Sequence, residues 1–174
     1  NGLLYAPPHS CACNIKSMFR GMSALAPASP TRSGTPENDV RLEQGPAFGK
    51  VAALGAAAAS ADDWPVFRHD NERSGSTSTK VPRELKQSWQ AKIGGRLSSP
   101  VAGGGRVYVA DIDAHTIHAL DAADGKPVWQ YTAGGRIDSP PTVYNGKLFF
   151  GSADGWVYCV REKDGVLVWR FRGA

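Results

Sequence analysis

Trp89, Trp129 and Trp169 follow one another at an identical interval of forty residues. An interval of that length, filled with short alternating segments and glycine turns, is the mark of a β-propeller, in which each repeat makes one radial blade. A single four-stranded blade cannot bury its own apolar face, so such a chain must stack blade on blade around an axis.

The repeat extends well beyond the tryptophans. IGGRLSSPVAGGGRVYVADIDAHTIHALDAADGKPVW and AGGRIDSPPTVYNGKLFFGSADGWVYCVREKDGVLVW match at Gly94/Gly134, Gly95/Gly135, Arg96/Arg136, Ser99/Ser139, Pro100/Pro140, Asp124/Asp164 and Gly125/Gly165. A one-residue gap sets Val107, Tyr108 and Val109 over Leu148, Phe149 and Phe150. The pattern predicts four strands in the first copy, near 97–102, 106–110, 116–121 and 127–132. Asp124-Gly125, Asp164-Gly165 and Asn145-Gly146 read as hairpin turns, because glycine accepts the positive φ of a two-residue connection. The fold class expected is all-β: a partial β-propeller of four-stranded antiparallel blades, about two of them, with a further strand around 85–92. Each tryptophan falls early in the last strand of a blade, where an indole can bury a large area at the seam and still donate its N–H. Two blades fall short of the four to eight that close a ring, so these residues alone are expected to leave apolar faces uncovered and to aggregate.

The segment from Ala119 to Trp129, ALDAADGKPVW, resembles the AxDxxTGxxxW tryptophan-docking motif of the PQQ-like repeat family, which includes quinoprotein alcohol dehydrogenases and BamB-like propellers. Asp124 replaces the motif threonine. The second copy, CVREKDGVLVW, keeps Gly165 and Trp169 but carries Cys159 for alanine and Arg161 for aspartate. DWPVFRHDNERSG, residues 63–75, is similar to the lead-in of many such propellers. On this resemblance Trp89, Trp129, Trp169, Asp121, Gly125 and Gly165 are structural residues of the repeat. The resemblance implies a non-catalytic scaffold that binds a protein or small ligand at its rim or channel, in the periplasm or outside the cell. Its alternatives are part of a quinoprotein dehydrogenase, holding PQQ with calcium, or an accessory domain of a larger enzyme. That family's dehydrogenase sites use a vicinal cysteine pair, whereas Cys11 and Cys13 are separated by Ala12 and lie outside the blades, so no cofactor is expected.

Three regions follow from composition. Residues 1–27 hold two strand-like segments, GLLYAP and MSALAP, read as closing strands of a preceding β domain. Residues 28–62, rich in Ala, Pro, Ser and Gly, read as a flexible linker, and residues 63–174 hold the blades. The start at Asn1 leads to the expectation that the chain is a fragment of a larger multi-domain protein. VAALGAAAA, residues 51–59, imitates a signal-peptide core but is internal, and it is shorter than the roughly 20 apolar residues of a membrane span. No transmembrane segment is expected. A net charge of +4 with scattered Lys and Arg shows no stripe for nucleic acid.

Candidate chemistry is sparse. His9, Cys11 and Cys13 in HSCAC offer zinc donors, but no second pair has metal-ligand spacing, and a disulfide or free thiols are alternatives. DIDAHTIH, residues 111–118, gathers two carboxylates and two imidazoles, with Asp113, like Asp154, read as a turn former. Arg96 and Arg136, beside strands near the channel, are candidate ligands for an anion there or partners in blade-to-blade hydrogen bonds. The sequence holds no P-loop, GxSxG or HExxH motif, and no catalytic residue is assigned.

Overall fold

A computed structural model describes residues 41–51, 60 and 62–172 of the chain, and the backbone of 4–6 and 23–25. Two compact units divide the chain, Asn1–Asp39 and Val40–Ala174. In the first, β1 (Leu4–Ala6) and β2 (Ser23–Leu25) pair antiparallel with Leu4 opposite Leu25, so both strand-like segments are strands. Cys11, Cys13 and His9 lie outside the described residues, as does most of 51–59.

The second unit begins with β3 (Leu42–Gln44) and continues into two consecutive antiparallel sheets. The first blade is β4 (Val101–Gly103), β5 (Arg106–Asp111), β6 (Thr116–Asp121) and β7 (Pro127–Thr132), hydrogen-bonded in that order. The second is β8 (Thr142–Tyr144), β9 (Lys147–Gly151), β10 (Trp156–Arg161) and β11 (Leu167–Arg172), with β3 added outside β11 as a fifth strand. Register repeats with sequence: Ala119 faces Trp129 across β6 and β7, and Cys159 faces Trp169 across β10 and β11. The first expected strand is interrupted. Leu97 bridges Asp111 and the Ser98 amide donates to the Ala110 carbonyl, but the ladder resumes only at Val101 because Pro100 has no N–H to give.

Turn chemistry separates two kinds of connection. Asn145 and Gly146 both adopt positive φ (50° and 70°) between paired Tyr144 and Lys147, a two-residue hairpin. At Asp124-Gly125 the connection is longer than two residues. It runs over 122–126, the Asp121 amide donating to the Lys126 carbonyl at 2.9 Å, and only the glycine has positive φ. A register shift between Ala119 and Leu120 absorbs the difference.

The core lies between the blades. Tyr108, Ala110, Ile117 and Ala119 of the first pack against Leu148, Phe150, Tyr158 and Val160 of the second, all of them buried. Along β6 both faces are covered: Ile117 and Ala119 are fully buried, and Leu120 on the other face is 3% exposed. A sheet sandwiched on both sides does not alternate cleanly.

Two expectations are corrected. No strand is assigned between 85 and 92, where Trp89 lies on an irregular segment without a ladder partner among the described residues. Residues 41–51, assigned to a flexible linker by composition, are part of the folded unit through β3. Composition reports local preference, while the unpaired edge of β11, far away in sequence, supplies the partner.

Candidate functional site

Indole docking builds the seam first. Trp129 Nε1 donates to the Glu162 carbonyl at 3.0 Å, and Trp89 Nε1 donates to the Ala122 carbonyl at 2.9 Å. In each case the ring lies on the glycine of the receiving turn: a Cβ on Gly165 would stand 2.6 Å from Trp129 Cε3, and one on Gly125 2.5 Å from Trp89 Cε3. Both glycines have positive φ, 71° and 73°. A tryptophan thus reaches forward onto the Asp-Gly turn of the following repeat, whose glycine is required twice, for its backbone and for the space above it.

Glu162 is the hub of the seam. Besides the Trp129 indole, its carbonyl accepts from Arg106 Nη1 at 3.0 Å, and its carboxylate accepts from the Tyr108 hydroxyl at 3.2 Å. Burial first, then the Glu162 charge, pushes the Tyr108 phenol well above its usual range. A Cβ on Gly104 would lie 2.3 Å from Glu162 Oε1, and one on Gly103 3.3 Å from Val143 Cγ1. The run Gly103–Gly105 therefore both turns the chain, with positive φ at Gly104 and Gly105, and admits the neighbouring blade. Nothing in the sequence marked Glu162, since its partners lie 33 to 56 residues away.

The repeated Gly-Gly-Arg seats a carboxylate. A Cβ on Gly94 would meet Asp111 Oδ2 at 2.1 Å, and one on Gly134 would meet Asp154 Oδ2 at 2.6 Å. Asp154 accepts from the Trp156 amide at 3.1 Å and from the Tyr158 hydroxyl at 2.5 Å. Burial would raise its pKa, but the Tyr158 and backbone hydrogen bonds outweigh this and hold it below the usual carboxylate value. In the first blade that role belongs to Asp111, which accepts the Ala114 amide, while Asp113 pairs with Arg96 at 2.9 Å.

Arg96 is therefore held within its own blade. Arg136 pairs with Asp138 at 2.8 Å, and both arginines are more than half exposed. Asp138, with a smaller contribution from Asp113, holds the Arg136 guanidinium firmly protonated. His115 occupies a turn at φ 58°, and His118 is half-buried, where desolvation keeps it below its ordinary pKa despite Asp111. Cys159 is buried, and its thiol is pushed up to about 11 by that burial. Among the described residues no three His, Cys, Asp or Glu side chains are gathered closely enough to hold a metal ion. Within 111–118, Asp113 is held by Arg96, Asp111 accepts the Ala114 amide and His115 shapes the turn.

The lead-in forms one wall of a concavity. Trp64 and Ala102 exchange two backbone hydrogen bonds of 2.8 Å on β4, and the Val143 amide of β8 donates to the Pro65 carbonyl at 2.8 Å. The chain then turns through consecutive positive φ at Arg68 and His69, 63° and 80°, which non-glycine residues rarely adopt. Asp70 closes the turn by accepting from the Ser74 amide at 2.9 Å and from the Ser74 hydroxyl. These two bonds, with smaller help from His69, lower the Asp70 pKa to about 2. Between lead-in and β8 lies a cleft of about 350 Å³, lined by Val66, His69, Asp70, Asn71, Thr142 and Tyr144 among others. Tyr144 is 71% exposed, and His69 Nδ1 is buried without a hydrogen-bond partner, 3.5 Å from Asp70 Oδ2.

Residues 67–174 match the family described as outer membrane protein assembly factor BamB. The BamB of Burkholderia pseudomallei is 27% identical over 172 residues, covering 97% of this chain and 44% of that protein. A 1-butanol dehydrogenase (quinone) of Thauera butanivorans is 27% identical over 154 residues, covering 69% of this chain and 25% of that one. The crystal structure of the quinohemoprotein alcohol dehydrogenase of Comamonas testosteroni superposes with a TM-score of 0.54 at 20% identity, over 71% of this chain and 23% of that one. The chain spans less than half the length of the curated relatives it matches.

Proposed function

The chain belongs to the family of the outer membrane protein assembly factor BamB, the PQQ-like repeat propellers, and we propose that it is a non-catalytic scaffold of that family whose cleft between lead-in and β8 holds a protein partner. The observation that carries this reading is Tyr144. A large aromatic ring 71% exposed beside half-buried polar groups is the composition of a contact hot spot. Five polar side chains of the repeat hold seams and turns: Glu162, Tyr108, Arg106, Asp111 and Asp154 all face partners within the chain. We locate the module in the periplasm or at the cell exterior, supported by relatives that are outer membrane protein assembly factors. Among the described residues no helix is long and apolar enough to cross a membrane.

Affinity recovery from the intact protein, with and without Tyr144→Ser, tests the scaffold. Loss of a hot-spot aromatic is expected to lower recovery of the bound protein roughly tenfold or more. Unchanged recovery would overturn the cleft as the docking site, and dye-linked alcohol oxidation after loading with PQQ and calcium would replace this reading with the dehydrogenase one.

A further inference from the structure

The two blades can be compared position by position through their shared register. On the first blade the face turned to the second presents Tyr108, Ala119, Trp129 and Tyr131, and the second blade covers it. The equivalent positions on the far face of the second blade are Phe149, Cys159, Trp169 and Phe171. By repeat logic another blade belongs there. In this structure Ala47 and Val51 pack on Cys159, Val168, Phe149 and Trp169 and are themselves 1% and 5% exposed.

The segment that does this is firmly tied. β3 pairs with β11 over Leu42, Glu43 and Gln44. Beyond the strand, the Gly45 amide donates to the Val168 carbonyl at 2.9 Å and the Ala47 amide to the Leu167 carbonyl at 3.0 Å. Glu43 pairs with Arg170 at 2.6 Å, and that guanidinium lies 4.3 Å over the Trp156 ring. Gly45 has no room for a side chain, since a Cβ would stand 2.3 Å from the Leu167 carbonyl oxygen. Coverage stops short of the whole face: Val157 and Phe171 each remain 42% exposed.

We propose that residues 41–51 are a built-in cap that occupies the blade-docking face of the second blade, so that the cap and a further PQQ-like blade exclude each other there. Glu43, Gly45, Ala47 and Val51 are its anchors. The cap closes the β11 edge with a strand of the same chain and shields Cys159 and Trp169 from solvent, as the second blade shields Ala119 and Trp129.

The test is made on the intact protein by hydrogen exchange and maleimide labelling, both read peptide by peptide in the mass spectrometer so that Cys159 is separated from Cys11 and Cys13. Gly45 and Ala47 amides are expected to exchange slowly and Cys159 to resist labelling. Gly45→Val should accelerate both at least about tenfold while β9 and β10 amides stay protected, the signature of local release. Should that variant unfold globally, Glu43→Gln removes only the ion pair and is expected to speed Gly45 and Ala47 exchange a few-fold. The idea is overturned if Gly45 and Ala47 exchange like an open peptide while Cys159 stays protected, because another element would then cover the face. Unchanged exchange in both variants would overturn it equally.

Discussion

Replacing Gly165 by alanine probes the seam at its most constrained point. Two penalties act together: the residue sits at φ 71°, and the new methyl would stand 2.6 Å from Trp129 Cε3. A left-handed backbone costs a non-glycine residue about 1 to 2 kcal/mol, and forcing a methyl into a packed contact costs about 1 to 3 kcal/mol. The ring must move to relieve the overlap, which strains its hydrogen bond to the Glu162 carbonyl. A total near 3 kcal/mol is expected for Gly165→Ala. Gly155 supplies the internal control, because its φ is 86° but nothing lies within 4 Å of a Cβ there. Gly155→Ala should therefore cost only the backbone part, about 1 kcal/mol. Urea unfolding of the intact protein, followed by tryptophan fluorescence, measures both values. If the two variants differ by less than about 0.5 kcal/mol, the collision with the indole is not what holds this turn to glycine.

Trp129→Phe removes the indole N–H but leaves the Glu162 carbonyl bonded to Arg106. Its cost is expected at about 1 to 2 kcal/mol in the same urea assay, below that of Gly165→Ala; a larger loss would mean that Arg106 does not satisfy that oxygen. The lead-in turn should depend on acid. With its pKa lowered from 3.8 to about 2 in the folded chain, the Asp70 carboxylate contributes fully above pH 4, and the contribution is lost as pH falls toward 2. Exchange of the Ser74 amide should rise across that window, and Asp70→Asn should remove the dependence. A flat profile in the unmodified protein would contradict the assigned hydrogen bonds.

The periodic part of the structure was legible from residue order. Tryptophan spacing, the matched glycines and the Asn145-Gly146 turn are local signals, and they marked two blades with strand positions close to those observed. The docking glycines could be named from the motif, but the two reasons for them could not both be read there. Positive φ belongs to the turn itself, whereas the indole above each glycine arrives from the preceding repeat, Trp89 over Gly125 and Trp129 over Gly165. Glu162 escaped notice for the same reason, as did the cleft, whose walls come from residues 65–71 and 142–144. Arg96 and Arg136 were open to two interpretations because their partners, Asp113 and Asp138, are chosen by side-chain direction rather than spacing.

Sequence by itself determined the repeat, its period and the class of sheet, because the forty-residue self-similarity and the turn residues within it are written along the chain and need no distant partner. Tertiary structure alone decided that residues 41–51 are a paired strand and cap, that the Gly-Gly-Arg glycines face carboxylates, and which carbonyl each indole meets. Those outcomes depend on which unpaired edges and apolar faces come together in space, and pairing of that kind is selected by the whole fold rather than by the segment that undergoes it.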